Sequence, residues 1–455
     1  MKKRMYKIMA LAMTAAMVVP MAAQTTAFAA DDKEITYWNI AVESPDKDIV
    51  TAAVDKFNKE TKSGYTVNSV AIQNDTYKEK LVIAMSSGEC PDMYSSWSGG
   101  PMYEYIDSGF AQPIDDLLDQ SDVKDKLLDA AIEQGSYNGH VYAIPYLNVS
   151  LAGIFYNKDM FKQYGLEEPK TLADLENICA TLKENGITPF ALANASKWTG
   201  SMYFMSLAAR YGGLEPFQNA VAGTGKFTDD CFIKAGEKIQ EWVKNGYFPD
   251  GVNSLSEDDG QAKQLMYQET AGMLLCGSWY TGTFQTDSEE FYQKIGWFPF
   301  PAIDDSDADP TIQIGTVGDQ FISFNCEGDK LAAAFECATD HLSDEVEDMI
   351  YSTGKIAPVK DAGDHISDPV VKEIFDAAQK ASSIQLWYDQ YLPTSVATAH
   401  LDGLQEVFGL TKTPQEAQEE MQTAMDEYLS TKSDSGAADD TAEEATDDAA
   451  ADDAK

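Results

Sequence analysis

Two short segments of the sequence place a carboxylate beside a group that could contact the same ligand. In IQLWYDQYLP, Trp387 and Asp389 are two positions apart, and in GTVGDQ, Asp319 is followed directly by Gln320. A carboxylate in such surroundings could be a catalytic acid, a metal ligand or an acceptor for the hydroxyl hydrogens of a bound polyol. The choice among these three uses depends on what the rest of the chain supplies.

Metal ligands and catalytic motifs are sparse in this sequence. The four histidines are scattered without ligand spacing, and the six cysteines form no C-x-x-C pair. No G-x-S-x-G, H-E-x-x-H or glycine-rich phosphate loop occurs. A glycosidase would need only two carboxylates among aromatic rings, and Asp319 and Asp389 could serve as that pair. We therefore expect no metal and no cofactor, and we keep glycoside hydrolysis as an alternative to binding.

Tryptophans recur at the apparent ends of secondary-structure elements, beside Ser, Gly, Asn or Asp. Five of the seven occupy such positions, namely Trp38, Trp97, Trp198, Trp279 and Trp387. Trp242, in IQEWVKN, is better explained as a core residue. Packing is an equally good explanation for any single one of the five. Together they favour a cleft in which rings cover the apolar face of a sugar and carboxylates accept its hydroxyl hydrogens.

Strands and helices alternate along the body of the chain, which predicts an α/β fold. A strand-like run at 34–40 is followed by Ser44-Pro45, which supplies a helix N-cap and a proline at the first helical position. Apolar residues four positions apart follow, before the next strand-like run at 65–72. This order implies parallel strands with helices on their faces. Ligands bind beyond the carboxyl ends of such strands, where several of the tryptophans lie.

Length and charge limit the class of protein. A chain of 455 residues exceeds one typical hydrophobic core, so we expect two domains. The formal net charge is −42, and the N-terminal segment that we expect to be removed carries +4, which leaves −46. Such a charge disfavours nucleic acids and anionic lipid surfaces and is compatible with neutral sugars. We therefore expect no nucleic-acid partner.

Both ends of the chain are predicted to lie outside the folded body. A basic stretch, the apolar run at 8–19 and the A-x-A sequence at 27–29 predict a secretory signal peptide over residues 1–29. The apolar run is too short for a transmembrane anchor, and no cysteine near the cleavage site marks a lipoprotein. Residues 434–455 contain nine acidic residues and one lysine, which predicts a disordered tail. Unpaired thiols and one or two disulfides are equally open for the six cysteines.

An ordered set of segments resembles the bacterial extracellular solute-binding proteins of family 1, the carbohydrate receptors of ABC importers. The segments are ITYWN, PDMYSSWSGGPMYEYIDSGFAQPIDDLL, YAIPYLNVSLAGIFYNKDMF, AGMLLCGSWY and GDKLAAAFECATDHLSDE, in that order. No single segment is decisive, but the ordered set is specific, and the resemblance covers residues 33–430. Gram-positive members of the family normally carry a lipidated cysteine, which this chain lacks, so its retention at the cell surface is left open.

The resemblance implies a two-lobed periplasmic-binding-protein fold of type II, with the ligand in the cleft between the lobes. Lobe 1 would comprise residues 31–147 and 316–352, and lobe 2 residues 148–315 and 353–431. The passages between the lobes would lie near Leu147–Ser150, Ile312–Thr316 and Tyr351–Ile356.

The resemblance also implies which side chains contact the ligand. Rings that stack on sugar faces in the family fall here at Trp97, Trp279 and Trp387. A binding loop of the first lobe and a polar residue at the first passage correspond to Trp38, Asn39 and Asn148. The remaining predicted contacts come from residue types alone, and they are Trp198, Asp319, Gln320 and Asp389.

These observations predict a secreted, non-enzymatic substrate-binding component of an ABC importer. It would capture a neutral oligosaccharide between two hinged lobes and deliver it to the membrane permease. We expect a monomer, in the periplasm or at the cell surface. The scarcity of arginines argues against an amino-acid receptor, which needs a cation for the α-carboxylate. The alternatives are a receptor for another small solute, such as a peptide or a polyamine, and a secreted glycoside hydrolase.

Overall fold

A computed structural model describes the chain from residue 33 to residue 450, with side chains as far as residue 432. The predicted signal peptide, residues 1–29, and the end of the predicted tail, residues 451–455, lie outside this part. The strands within it are β1 (Glu34–Asn39), β2 (Thr66–Ala71), β3 (Met93–Ser96), β4 (Ser136–Tyr137), β5 (His140–Val141), β6 (Ala143–Tyr146), β7 (Val149–Asn157), β8 (Thr188–Phe190), β9 (Ala271–Gly277), β10 (Ile295–Phe298), β11 (Gln313–Val317), β12 (Gln320–Phe324) and β13 (Ile384–Gln385).

Helices cover more of the described chain than strands do. They are α1 (Asp46–Glu60), α2 (Asn74–Ser87), α3 (Gly100–Asp107), α4 (Asp115–Asp119), α5 (Val123–Lys126), α6 (Asp129–Gln134), α7 (Lys158–Tyr164), α8 (Leu172–Glu184), α9 (Trp198–Gly212), α10 (Glu215–Val221), α11 (Asp230–Lys244), α12 (Gln261–Tyr267), α13 (Tyr280–Asp287), α14 (Glu289–Tyr292), α15 (Gly328–Asp340), α16 (Asp344–Ser352), α17 (Pro369–Lys380), α18 (Tyr388–Tyr391), α19 (Thr394–Phe408) and α20 (Pro414–Ala450). Two short 3-10 helices, Val252–Ser254 and Ala362–His365, lie in connecting segments.

The first sheet has the strand order β2-β1-β3-β12-β6. In β1, Ile35, Tyr37 and Asn39 are buried, because alternate side chains of a strand point to the same face. α1 buries its apolar stripe of Ile49, Val50, Ala53, Val54 and Phe57 in the same core. The predicted parallel pairing is confirmed for β1 with β2 and β3, whereas β12 returns from a distant part of the chain and runs antiparallel to β3 and β6.

The second sheet is built around β7, whose nine residues are all buried. Its order is β13-β11-β7-β9-β8, and β10 also pairs with β7. β7 is antiparallel to β9, β10 and β11. Since both faces of this strand are covered, its sequence is an almost unbroken apolar run instead of an alternating one. α8 packs against β8 and α9 against β9 and β11, while α11 packs on α9.

We call the first sheet with α1–α6, α15 and α16 lobe 1, and the second sheet with α7–α14 and α17–α20 lobe 2. The chain passes between them at Leu147–Asn148, between β6 and β7, and at Gly318–Asp319, between β11 and β12. The second passage follows the expected Ile312–Thr316, because all of β11 belongs to the second sheet. The predicted α/β class with two lobes is confirmed.

The third passage, between α16 and α17, contacts both lobes along its length. The Ile356 carbonyl accepts a hydrogen bond from the N–H of Val149, the first residue of β7, at 2.6 Å. Two residues later, the Pro358 carbonyl accepts from the N–H of Leu128 in lobe 1, at 3.0 Å. The segment that begins at residue 353 is therefore shared by the two lobes.

The C-terminal helix α20 packs on α19 through buried residues that include Ala417, Met421 and Met425. Its backbone remains helical to Ala450, through a segment for which the acidic composition predicts disorder. Alanine and glutamate have high intrinsic helix propensity, which is consistent with a helical backbone there. Disorder of this tail in solution stays a prediction.

Candidate ligand-binding site

A cavity of about 250 Å³ lies between lobe 1 and lobe 2. Lobe 1 lines it with the loop after β1, the first turns of α2 and the loop after β3. Lobe 2 lines it with the starts of α9 and α13, the loop before α12 and the segment that leads into α18. Asp319 and Lys355 come from the second and third passages. The cavity is thus located at the carboxyl ends of β1 and β3, where parallel strands place ligand sites.

Three tryptophans of lobe 2, which we name the tryptophan row, line one wall of the cavity. The ring centroids of Trp198 and Trp279 are 6.0 Å apart, and those of Trp279 and Trp387 are also 6.0 Å apart. The interplanar angles of 60° and 67° are closer to edge-to-face than to parallel packing. Each ring stands at the start of a helix, α9, α13 or α18, so the turn into that helix sets its direction.

Trp97 lines the cavity from lobe 1. Its ring contacts Tyr77 edge-to-face, with 5.9 Å between centroids, and the Lys78 ammonium lies 4.9 Å from its centroid. The same ammonium is 3.3 Å from Asp389 Oδ2 of lobe 2. Asp389, which the sequence predicts as a ligand contact, therefore already has a cationic partner from the opposite lobe.

The Asp319 carboxylate has no hydrogen-bond or ion-pair partner among residues 33–432, although it lines the cavity. Burial raises the pKa of this carboxyl to about 7, against the opposing charge of Lys355 and with a further increase from Asp46. An unpartnered carboxylate in a cavity can accept two hydroxyl hydrogens from a ligand. Its neighbour Gln320 also lines the cavity, and its side-chain oxygen accepts a hydrogen bond from the Tyr146 hydroxyl at 2.9 Å.

A second acidic group, Glu257, enters the cavity from the loop before α12. Its carboxylate accepts a hydrogen bond from the Tyr280 hydroxyl. Burial raises the pKa of Glu257 to about 7, while the hydrogen bond from Tyr280 and the charge of Lys263 lower it. The adjacent Asp258 accepts from the backbone N–H of Asp75 at the start of α2, at 3.1 Å, and so links the two lobes.

The three lysines that line the cavity are all paired with carboxylates. Besides the pair of Lys78 with Asp389, Lys263 Nζ is 2.9 Å from Asp287 Oδ2, and Lys355 is paired with Asp46. The lining carboxylates outnumber these lysines and are Glu43, Asp46, Glu257, Asp258, Asp319 and Asp389. The cavity therefore favours hydrogen-bond donors or cations over anions.

Two predicted contacts from β1 do not line the cavity. Trp38 belongs to a small apolar cluster around Tyr77, because the alternation along β1 directs it away from the main core of lobe 1. Asn39 is fully buried, where its Nδ2 donates to Ser69 Oγ at 2.8 Å and its Oδ1 accepts from the Ala41 N–H at 3.0 Å. Both side chains support the loop after β1, and we assign them no ligand contact.

Asn148 likewise lies outside the cavity wall. Its Oδ1 accepts from the Ile356 N–H at 2.9 Å, and its Nδ2 donates to Ser278 Oγ at 3.3 Å. The first bond connects the first and third passages, and the second reaches the segment between β9 and α13. Both the oxygen and the nitrogen of the Asn148 amide therefore already have a partner within the protein. We therefore assign Asn148 to the junction between the lobes and not to the ligand.

Several charged groups of the cavity were missed by the sequence argument. Glu257, Asp258, Lys263 and Lys355 lie in segments without a recognisable motif, and only the folded chain brings them together. Asp46 could have been predicted as a cavity residue, because it closely follows the carboxyl end of the first predicted strand.

A ligand-sized cavity between two α/β lobes joined by a few passages is the arrangement of a solute-binding protein, whose lobes close around a small molecule. The sequence matches the family model described as bacterial extracellular solute-binding protein over residues 41–338. The chain belongs to this family, and the resemblance seen in the sequence is confirmed.

The chain is similar to known binding proteins along much of its length. An uncharacterized ABC transporter extracellular-binding protein of Pyrococcus horikoshii is 29% identical over 288 residues, which are 62% of this chain and 64% of that protein. The multiple sugar-binding protein of Streptococcus mutans is 30% identical over 36% of this chain and 39% of its own length. The matched part of the chain thus spans less than two thirds of the length of these curated relatives.

A solved structure from work on xylan utilization by Caldanaerobius polysaccharolyticus superimposes with a TM-score of 0.78. It is 29% identical in sequence, and the match covers 86% of this chain and 99% of that one. The family and these relatives are binding proteins, and the two-lobed fold predicted from the sequence is confirmed.

Three further features bear on the setting of the site. Within the part of the chain that the structure describes, no helix is both long and apolar enough to cross a membrane. No group of three or more His, Cys, Asp or Glu side chains among the described residues is arranged to hold a metal ion. All six cysteines fall in residues 33–432 and are unpaired there.

Proposed function

We propose that this protein is the substrate-binding component of an ABC importer and that it captures a neutral oligosaccharide between its two lobes. The observation that carries the proposal is the combination of the tryptophan row with the unpartnered carboxylate of Asp319 in one interlobe cavity. Rings bury the apolar faces of sugar units, and the carboxylate accepts hydroxyl hydrogens.

The geometry supports binding in two ways. Edge-to-face contacts between the tryptophans hold the rings in place before a ligand arrives, which limits the entropy lost on binding. Hydrogen bonds from sugar hydroxyls to an ionised, dehydrated carboxylate contribute about 1.5–3 kcal/mol each. Successive rings along one wall favour more than one sugar unit, and hence an oligosaccharide.

The proposal extends to location and partners. Membership in an extracellular family implies a place outside the cytoplasm, and the predicted signal peptide over residues 1–29 would direct export. The loaded protein would deliver its sugar to the membrane permease of the importer, as a monomer.

A ligand panel tests this function. Xylotetraose, raffinose, stachyose, maltotriose and a chitin tetrasaccharide are each titrated by calorimetry, and melting temperatures are measured at saturation. We expect at least one of them to bind and to raise the melting temperature. Chromatography of the same mixtures is expected to show unchanged sugar after long incubation. Steady release of shortened sugar would replace this proposal with glycoside hydrolysis.

A second candidate, a receptor for a polyamine, is favoured by one observation. Six carboxylates and three lysines line the cavity, and each of those lysines is already paired with a carboxylate. A cationic solute would neutralise the excess of negative charge. Spermidine is therefore included in the panel, and binding of spermidine without binding of any sugar would establish this alternative.

A further inference from the structure

The segment Trp387–Thr394 of lobe 2, which we call the latch segment, is engaged by two charged side chains of lobe 1. One is Lys78 on α2, whose ammonium lies 3.3 Å from Asp389 Oδ2. The Asp389 side chain is 9% exposed and the Lys78 side chain 36% exposed, so the pair is partly shielded from solvent. The segment begins with Trp387, the last member of the tryptophan row.

The second side chain is Glu104 on α3. Its Oε1 accepts from the Thr394 N–H at 3.0 Å, and its Oε2 accepts from the Thr394 hydroxyl at 2.6 Å. Thr394 is the first residue of α19, and Pro393 before it has no side-chain oxygen to cap the helix. The carboxylate that occupies this helix N-terminus, a favourable place for negative charge, thus comes from the other lobe.

The backbones of the two lobes also meet at this segment. A β-carbon added to Gly99 would lie 2.3 Å from the Gln390 carbonyl oxygen, and one added to Gly100 would lie 2.2 Å from that of Leu392. Only glycine permits so close an approach. The latch segment is therefore in contact with lobe 1 along most of its length, and not only through two side chains.

We propose that Lys78 and Glu104 are positioning residues that latch lobe 1 onto the segment carrying Trp387 and so set the fraction of protein in the closed state. The inference rests on the proposed function, in which closure encloses the sugar. Apparent affinity is reduced in proportion to the population of the binding-competent state. Loss of either contact therefore weakens binding even where the lost group does not touch the sugar.

Glu104 gives the cleaner test, because it does not line the cavity, whereas Lys78 does. Glu104→Ala and Lys78→Met are made in the full chain, and the sugar of the panel that binds is titrated by calorimetry. We expect affinity to fall about threefold to tenfold in each variant. X-ray scattering of the unliganded variants should give a larger radius of gyration than that of the wild type.

The chain offers a matched control in Glu416 of α20. Its Oε2 accepts from the N–H and the hydroxyl of Thr413 at 2.9 and 2.7 Å, which is the same capping chemistry within lobe 2 alone. Glu416→Ala is expected to lower the melting temperature while leaving sugar affinity and the radius of gyration at wild-type values. Equal effects of Glu104→Ala and Glu416→Ala on all three quantities would overturn the latch.

A second variant separates closure from simple helix capping. Pro393→Ser, added to Glu104→Ala, supplies a local cap to α19. We expect it to restore the melting temperature but not the affinity, whereas recovery of both would show that Glu104 only stabilises the helix. If no sugar of the panel binds, the proposed function fails, and the radii of gyration of the unliganded proteins still decide whether the latch exists.

Discussion

The two walls of the cleft differ in what they offer a ligand. Lobe 2 lines the cleft with three rings, of which Trp279 contacts both Trp198 and the buried Trp387 at 6.0 Å between centroids, and these contacts lie within one lobe. Lobe 1 presents one ring, Trp97, beneath a lysine whose ammonium is engaged with the opposite lobe. This difference favours a division of recognition and enclosure between the lobes. We expect a sugar to be recognised on lobe 2 and enclosed by lobe 1.

The largest effect is expected at the centre of the tryptophan row. Trp279 contacts both Trp198 and Trp387, so Trp279→Ala removes a stacking surface and frees both neighbours. We expect calorimetry to show a loss of sugar affinity of about 100-fold, against about 10-fold for Trp97→Ala. Equal losses in the two variants would mean that the walls contribute alike, contrary to the division above.

Trp387 is a poorer choice for that comparison. Its side chain is only 2% exposed and belongs to the main apolar core, so Trp387→Ala would leave a cavity as well as remove a ring. We expect it to lower the free energy of unfolding by about 3–5 kcal/mol, which denaturant titration would measure. An unchanged unfolding midpoint would show that the site collapses around the smaller side chain.

The next effect in size concerns the two aspartates that the sequence singles out. Asp319 has no hydrogen-bond or ion-pair partner among residues 33–432, whereas Asp389 is paired with Lys78. Asp319→Asn exchanges an acceptor oxygen for a donor and is expected to weaken sugar binding about tenfold to a hundredfold. Asp389→Asn is expected to cost less than Asp319→Asn in the same titrations, because its main partner is the lysine. The reverse order would assign Asp389 to the ligand and Asp319 to the protein.

A smaller effect is the dependence of affinity on pH. The pKa of Asp319 is raised to about 7 by burial, so below that pH the unliganded carboxyl is protonated and cannot accept two hydroxyl hydrogens. A sugar that binds the ionised form must displace this proton, so affinity is expected to rise by up to about tenfold from pH 6 to pH 8. Calorimetry at several pH values would measure it, and a flat profile would contradict it.

Two variants identify the titrating group. The Asp319→Asn variant should lack the part of the pH dependence of sugar affinity that Asp319 causes. The Glu257→Gln variant should lack the remaining part, because the pKa of Glu257 is also raised to about 7 by burial. The buried His341 and His400 do not contribute in this range, since burial lowers their pKa values to about 4 and about 3.

The smallest effect is expected from the acidic tail. Truncation after Ser433 removes residues 434–455, whose composition offers no apolar surface to bury. Calorimetry should give a sugar affinity within about twofold of the full chain, since we expect a disordered segment to add no fixed contact to the site. A larger loss of affinity would show that the tail contributes to sugar binding in addition to the two lobes.

Element ends were the most informative sequence signal. Trp97, Trp198 and Trp279 each follow or begin an element, which predicts them as ligand contacts, and the cavity includes them all. The same signal failed for Trp38, because strand β1 continues to Asn39 and its alternation turns the indole toward a separate cluster. The predicted run, 34–40, and strand β1, Glu34–Asn39, both contain Trp38, so the alternation along the strand and not its end sets the face on which this ring lies.

Part of the charged lining could not be read from the sequence, although Asp319 and Asp389 were predicted. Glu257 and Lys355 enter the cavity from segments far apart in the chain, and their neighbours in sequence carry no pattern. The pairing of Lys78 with Asp389 spans 311 positions. Local spacing predicts faces and ends of elements, but contacts across a cleft depend on how two separately folded lobes meet.

The tryptophan row also allows the cleft to be followed by fluorescence spectroscopy. Four of the seven tryptophans, Trp97, Trp198, Trp279 and Trp387, line one cavity, so more than half of the indoles of this protein lie where a ligand would bind. Successive rings of the row lie 6.0 Å apart, so a change at one indole also alters the surroundings of its neighbour. We expect a ligand that covers Trp198 or Trp279 to change the indole emission of the protein, which would make that emission an intrinsic optical reporter of occupancy.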